Sequence, residues 1–327
     1  MSEKITYSQG ILSAFEYLLE NHDDVFVIGQ GLWSPWYVGN TMKDLDKIYG
    51  KERIIDTPLS ESAVTGMAVG ASLGKSLPIV VHPRIDFMLY AMDAIVNQAA
   101  KWSHMTGGQA NPAVTIRGII NRGGEQGAQH SQSLHSWFAH IPGLRVLMPA
   151  TPIDARDMLI SATLSKDPVI YIDDRWLYEV EELSTPIEVL DIQNFRPKVL
   201  VEGDDLTIAA SGFSVQLALN VASLCKDKGT SIEVIDIRAL NPFDPDPIVK
   251  SVEKTKRILA IDGGWSNCGF SSEIISSVVE NIAIGTLLAQ PKKITIEASP
   301  APTSRVLEDI YYPSEEKILS LVEEILS

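Results

Sequence analysis

The sequence predicts an α/β protein of two domains, the first built on a mostly parallel sheet and the second a smaller α/β domain. Three observations carry this. Short apolar runs alternate with stretches of helical period, the rhythm of strand–helix–strand units. Runs such as LPIVVH (77–82) and PVIYID (168–173) are almost wholly apolar, as in strands covered on both faces. The alternation breaks once, over the acidic, proline-marked stretch 174–204, and then resumes. With 327 residues the chain exceeds a typical domain of about 100–200 residues and fits two.

The elements follow in order. Residues 5–21 read as a helix, with Ile5, Ile11, Leu12, Phe15 and Leu18 or Leu19 on one side. VFVIGQG is a short buried strand ending in glycines, 61–74 a helix and LPIVVH a strand. Residues 88–102 form an amphipathic helix, AVTIRG (113–118) and LRVLMP (144–149) are strands, and Pro152 opens a helix to Leu164. PVIYID closes the first series. The second comprises strands 206–211, 232–237, 257–262 and 293–297, with helices at 214–226, 270–282 and 314–326. The expected division is 1–185 for the first domain, 186–203 for the linker and 204–327 for the second. No internal repeat or low-complexity segment is present.

Composition narrows the function. Net charge is −15 and the pI near 4.8, which argues against nucleic acid and anionic membranes as partners. Two distant cysteines, Cys225 and Cys268, make neither a disulfide framework nor a metal-ligand spacing, so a reducing compartment is expected. The N-terminus has no signal-peptide core, and no apolar run reaches about 18 residues. A cytoplasmic location is the expectation.

Two stretches raise chemical questions. In DTPLSES (56–62) a lone carboxylate, Glu61, opens a run of small and apolar residues. An acid in a first helical turn is favoured by the helix dipole, a purely structural reason for Glu61. A functional role needs a buried partner that shares its proton. Gly66, Gly70 and Gly74 line one face of that helix, where glycine costs about 0.5–1 kcal/mol each relative to alanine. A close neighbour is implied, either a helix of another subunit or packing within this chain. The second stretch is GGEQGAQHSQSLHSWFAH (123–140). Five of the six histidines fall at His82, His104, His130, His135 and His140. His130, on a glycine-rich loop, suits proton transfer. His140, beside Phe138 and Ile141-Pro142, reads as a packed core residue, and Asp262-Gly263-Gly264 as a turn ending a strand.

Other chemistries lose ground. G-x-G after the strand VFVIG is followed by Pro35 and lacks a third glycine, so it is not the dinucleotide fingerprint. There is no phosphate-binding G-x-x-x-x-G-K-[ST], no G-x-S-x-G nucleophile elbow, and no H-E-x-x-H or C-x-x-C pattern for a metal.

The blocks RIIDTPLSESAVTGMAVGASLG, DFMLYAMDAIVNQAAKW, TGGQ, QHSQSLHSWFAHIPGLRVLMPATPIDARDMLISA and DPVIYI together resemble the beta subunit of thiamine-diphosphate-dependent 2-oxo acid dehydrogenases. That family includes the first components of the pyruvate, branched-chain 2-oxo acid and acetoin dehydrogenases. The resemblance continues through DLTIAASG, EVIDIRALNPFDPDPIVKSVEKTKR and IEASPAPTSRVLED, covering almost the whole chain. It implies a transketolase-like pyrimidine-binding domain followed by a transketolase C-terminal domain. It implies that Glu61 bonds N1′ of the cofactor's aminopyrimidine, and that Phe87 packs on that ring. By the same resemblance His130 handles protons during decarboxylation and acyl transfer to lipoamide, with Ser131 and Gln132 holding its loop. Backbone carbonyls at Val114, Ala162, Thr163 and Asp167 match a structural site for a monovalent cation, potassium.

The G-D-G with following asparagines that binds the magnesium diphosphate is missing; Gly203-Asp204-Asp205 lies at the start of the wrong domain. The chain thus resembles half an active site. An alpha subunit would supply magnesium and diphosphate binding, in a tetramer of two alpha and two beta chains, with a lipoyl acyltransferase core as a further partner. Two stretches depart from the family. His82-Pro83-Arg84 in VVHPRIDF replaces a segment like EIQFADF, and Arg84 is read either as meeting a substrate carboxylate or as pairing with a partner's acid. IDGGWSNCGF (261–270) lacks a usual histidine–glutamate pair. The alternatives are a carboligase of the same architecture, separable by lipoamide-dependent turnover, and a non-catalytic partner-binding paralogue. Retention of Glu61, Phe87 and His130 together argues against the last.

Overall fold

The computed structural model describes residues 4–327. The chain divides into two compact units: one runs to Asn121 and resumes over Trp137–Phe195, and the other comprises Arg122–Ser136 and Arg196–Ser327. Both are α/β.

The first unit opens with β1 (Lys4–Thr6) and α1 (Tyr7–Asn21), so Ile5 belongs to a strand and the helix starts later than its apolar period suggests. The cause is a capping box. The Thr6 side chain accepts from the Gln9 N–H at 3.2 Å, and the Gln9 side chain accepts from the Thr6 N–H at 2.7 Å. There follow β2 (Val25–Gly29), α2 (Pro35–Val38), α3 (Leu45–Tyr49), β3 (Ile54–Asp56), α4 (Glu61–Leu73), β4 (Leu77–His82) and α5 (Ile85–Met88). The region read as one amphipathic helix over 88–102 is three kinds of helix in succession. Leu89–Ala91 is a tight 3₁₀ turn, Asp93–Ala99 widens to π-helix, and α6 (Ala100–Met105) restores α geometry. Next come β5 (Thr115–Ile120), α7 (His135–Ala139, its first two residues assigned to the other unit), β6 (Arg145–Leu147), α8 (Pro152–Thr163), β7 (Val169–Asp174) and β8 (Glu181–Leu183).

The main strands of this unit lie in the order β6-β7-β5-β4-β2-β3, all parallel, and β1 pairs antiparallel with β8. β4, β5 and β7 are buried along nearly their whole length, which explains their unbroken apolar character. α1 packs against α8, and only glycine fits at Gly10, where a Cβ would stand 2.4 Å from the Pro152 carbonyl oxygen. A charged cluster sits inside the unit. Arg117 of β5 grips Asp173 of β7 with two bonds of 2.8 Å, and both are fully buried. Tyr178 donates to the same carboxylate at 2.8 Å, and Arg117 also donates to Thr41 at 3.1 Å.

The second unit contains β9 (Lys198–Val201), β10 (Leu206–Ala210), α9 (Phe213–Lys226), β11 (Ile232–Asp236), β12 (Ala239–Asn241), α10 (Asp246–Thr255), β13 (Ile258–Trp265), α11 (Phe270–Asn281), β14 (Lys292–Ile296), α12 (Arg305–Tyr311) and α13 (Glu315–Leu326). Its sheet runs β14-β13-β10-β11-β9, parallel except for the antiparallel edge strand β9. Asp262-Gly263-Gly264 is not a turn: these residues lie within β13, where the Asp262 carboxylate is buried and bonded. No helix among the described residues is long and apolar enough to cross a membrane.

Candidate active site

In an open parallel sheet, ligands bind beyond the carboxyl ends of the strands, where the strand order reverses. In the first unit that reversal falls at β2, flanked by β3 on one side and β4 on the other. Two of the expected residues stand at this edge. Glu61 begins α4 five residues after β3 ends, and Phe87 lies in α5, just past the end of β4.

Local bonds shape the turn that carries Glu61. The Asp56 carboxylate accepts from the N–H groups of Gly31 (2.6 Å) and Leu32 (3.3 Å), tying the end of β3 to the loop after β2. The Thr57 N–H donates to the Gly29 carbonyl at 2.8 Å. Glu61 is half-buried in the first turn of α4, and the Ser60 side chain gives no cap bond there. Phe87 is also half-buried. The Thr57 hydroxyl in the same turn is buried and has no hydrogen-bond partner among the described residues.

The structure decides between the two readings of the glycine stripe on α4. A Cβ added at Gly66 or Gly70 would meet nothing within 4 Å, and Ala63 and Met67 beside them are exposed. Packing within this chain therefore does not account for the stripe; Val64, Ala68 and Val69 on the opposite face do the packing.

His82, at the end of β4, is buried, and its Nε2 lies 3.2 Å from the Thr65 hydroxyl of α4. Burial brings its imidazole down to about 4, so it stays neutral near pH 7. Its role here is to fasten α4 to β4. The Asn121 side chain holds the Pro83 carbonyl at 2.9 Å. Burial first, then the neighbouring Arg175, lower the pKa of half-buried Arg84, while Asp86 opposes them.

Val114 and the turn after α8 meet at the other end of the sheet. The Val114 carbonyl accepts from the Val169 N–H at 2.9 Å, and the Ala162 carbonyl from the Ser165 N–H at 3.2 Å. The Thr163 hydroxyl donates to the Leu159 carbonyl at 2.9 Å. The Asp167 carboxylate bonds Arg145 and accepts from Asn111 at 3.4 Å. Among the described residues no three histidine, cysteine or acidic side chains gather as a metal cluster.

His130 belongs to the second unit. Its loop bends through positive φ at Gly123, Gly124, Glu125 and Gly127, and the His130 N–H donates to the Gly127 carbonyl at 3.2 Å. The loop is fastened along its length. The Gly123 N–H donates to the Tyr312 hydroxyl (3.3 Å), the Glu125 N–H to the Glu308 carboxylate (2.9 Å), and the Phe270 N–H to the Ser136 hydroxyl (3.0 Å). His135 is fully buried, with Nε2 3.0 Å from Asp262 and Nδ1 2.9 Å from the Ser133 hydroxyl. Burial alone would raise the Asp262 carboxyl. The His135 imidazole and the N–H groups of Ser271 and Gly264 outweigh it and hold the carboxyl at about 2. Sequence spacing gives no signal for this pair, whose members lie on separate elements. His140, just past α7, is exposed rather than packed, while its neighbour Phe138 is buried.

Sequence comparison matches this architecture. Residues 3–180 match the family described as "Transketolase, pyrimidine binding domain", and residues 196–318 match "Transketolase, C-terminal domain". The chain is 34% identical to the mitochondrial pyruvate dehydrogenase E1 component subunit beta of Saccharomyces cerevisiae, over 100% of this chain and 90% of that one. It is also 34% identical to the beta subunit of acetoin:2,6-dichlorophenolindophenol oxidoreductase of Cupriavidus necator, over 97% and 96% of the two chains. Among solved structures, a split-gene transketolase described as an inactive beta4 tetramer superposes with a TM-score of 0.78 at 21% identity, covering 98% of each chain. Fold and sequence together define a two-domain protein of transketolase type. The chain belongs to the family of beta subunits of thiamine-diphosphate-dependent 2-oxo acid and acetoin dehydrogenases.

Proposed function

We propose that this chain is the beta subunit of a 2-oxo acid dehydrogenase, performing oxidative decarboxylation with transfer of the acyl group to a lipoyl disulfide. The observation that supports the reading is that Glu61 opens α4 and Phe87 lies in α5, each following a strand next to the switch point at β2, with the Thr57 hydroxyl, buried and without a hydrogen-bond partner among the described residues, in the turn before Glu61. A carboxyl, a hydroxyl and an aromatic face suit a flat, polar-edged heterocycle such as an aminopyrimidine.

In this reading Glu61 would hold a proton toward N1′ of the aminopyrimidine of thiamine diphosphate, and Phe87 would offer its face to the ring. The cofactor, when bound, would supply a nucleophilic carbon to attack the oxo carbon and a cationic ring as electron sink when carbon dioxide leaves. His130 moves a proton at the reacting end, where a histidine works close to neutral pH. The lipoyl disulfide is reduced as the decarboxylated fragment is oxidised to the acyl level, one sulfur taking the acyl group as a thioester and the other a proton. An alpha subunit holds magnesium and the diphosphate, and the open small-residue face of α4 receives a neighbouring subunit in a two-alpha two-beta tetramer. Backbone carbonyls at Val114, Ala162, Thr163 and Asp167 would hold the structural potassium ion. The lipoyl acyltransferase core is the further partner. The compartment is the cytoplasm, consistent with two free cysteines.

Relatives named for pyruvate and for acetoin are equally similar, so the substrate is to be decided by assay. The complex is purified from its own cells and its native mass and thiamine diphosphate content measured. Pyruvate, branched-chain 2-oxo acids and acetoin are then compared with lipoamide as acceptor. Equal numbers of two chains, about one cofactor per pair and lipoamide reduction are expected. A cofactor-free assembly of this chain alone would overturn the reading.

A further inference from the structure

We infer that the buried pair His135–Asp262 sets the position of the His130 loop, making both positioning residues for proton transfer; this rests on the role proposed above for His130. The loop has no regular structure of its own between Arg122 and Leu134, and four of its residues take positive φ. Its placement must therefore come from side chains that grip a rigid element. Some of its anchors hold exposed residues: Glu125, whose N–H donates to Glu308 and whose carboxylate accepts from the Arg305 N–H, is itself exposed.

His135 is different. It is fully buried, five residues beyond His130, and its Nε2 lies at ion-pair distance, 3.0 Å, from the Asp262 carboxylate. Asp262 sits in β13, an interior strand flanked by β14 and β10. Its carboxylate is fixed in turn by the Gly264 N–H at 2.8 Å and by the Ser271 N–H at 2.9 Å, in the first turn of α11. The other imidazole nitrogen reaches back to the Ser133 hydroxyl at 2.9 Å, inside the loop. A continuous line of short contacts thus runs from the sheet to three residues from His130. Gly264 leaves room for it, since a Cβ there would stand 3.1 Å from the His135 ring. Catalytic geometry is steep in distance: displacement of a reacting group by about 1 Å can cost about 100-fold in rate.

The test uses the complex as purified from cells producing each variant of this chain. Hydrogen exchange of amides 123–133 reports the anchor, and kcat and KM report its use. Asp262→Asn is expected to speed loop exchange at least tenfold while α9 and β10 stay protected. It should lower kcat about 10–100-fold with KM changed less than twofold. His135→Gln keeps a side-chain N–H toward Asp262 and should retain most of the loop protection and of kcat. In a His130→Ala background, Asp262→Asn should cost no further turnover. If Asp262→Asn does not fold, the double change His135→Leu with Asp262→Leu removes the pair without stranding a buried charge, and the same outcomes are expected. Unchanged loop exchange, or a loss that multiplies in the His130→Ala background, overturns the inference. Faster loop exchange in a complex whose unsubstituted form turns over no 2-oxo acid would leave the anchor standing and remove the decarboxylase reading instead.

Discussion

The open face of α4 makes one substitution act with opposite signs in two settings. Gly66 and Gly70 sit in the helix interior without positive φ, and a methyl group at either would touch nothing within 4 Å. In the isolated chain, Gly→Ala at each site should therefore stabilise by about 0.5–1 kcal/mol, from lost freedom in the unfolded state. The two sites lie one helical turn apart and share no partner, so the double variant should gain about 1–2 kcal/mol. Against a closely packed neighbouring subunit the same atoms overpack, at a cost of about 1–3 kcal/mol, or about 5–150-fold in Kd. Gly70→Leu should be worse still. Urea unfolding of the isolated chain measures the first effect, and titration with the partner chain measures the second. The reasoning fails if alanine lowers the stability of the isolated chain, because the face would then be packed. It fails equally if Gly70→Leu binds the partner within twofold of the unsubstituted chain.

Other expectations concern single groups. Glu61→Gln and His130→Ala should each reduce lipoamide-dependent turnover by about 10²–10⁴-fold, with native mass of the complex unchanged; retained activity would remove the roles given to them. Asp173→Asn strands the fully buried Arg117 and should destabilise the chain by about 3–5 kcal/mol in urea titration, independent of salt, whereas the pair Arg117→Met with Asp173→Leu should cost far less. His82 has its folded pKa at about 4, below the ordinary 6.5, so only the unfolded state takes up the proton between these values. The penalty is absent above pH 6.5, grows as pH falls toward 4 and is constant below it, at about 3 kcal/mol. His82→Gln should remove that component from the pH dependence of stability measured between pH 7 and 4; an identical pH dependence would refute it.

Much of the first unit was legible because its physics is local. LPIVVH is a strand over all six predicted residues, since burial on both faces demands continuous apolar character. The helix opened by Pro152 begins where proline at the first helical position places it. Short elements escaped: β3 and β9 are too brief for a period to register, and β9 is an exposed edge with no alternation to mark it. The π-helical segment escaped because its widened turn still carries apolar residues at near-helical spacing. At the site, His130 could be singled out from residue type and its glycine-rich loop, whereas spacing alone left Glu61 open to a purely structural reading and the role proposed for it came from the family resemblance. The His135–Asp262 and Arg117–Asp173 pairs could not be singled out, because each joins residues on separate elements and becomes visible only once the sheets are assembled. His140 was misread because apolar neighbours in sequence do not fix whether the residue just past a short helix faces solvent.

The second unit is discontinuous in the chain, and this limits how its gene can be cut and rejoined. Grafting the C-terminal part of a relative at residue 196, the obvious seam, would exchange Asp262, Glu308 and Tyr312 while leaving segment 122–136 behind. The hybrid would keep every residue of the histidine loop and lose the surface that loop was shaped against. Viable chimaeras in this lineage should therefore inherit 122–136 together with the C-terminal part, as two separated inserts from one parent.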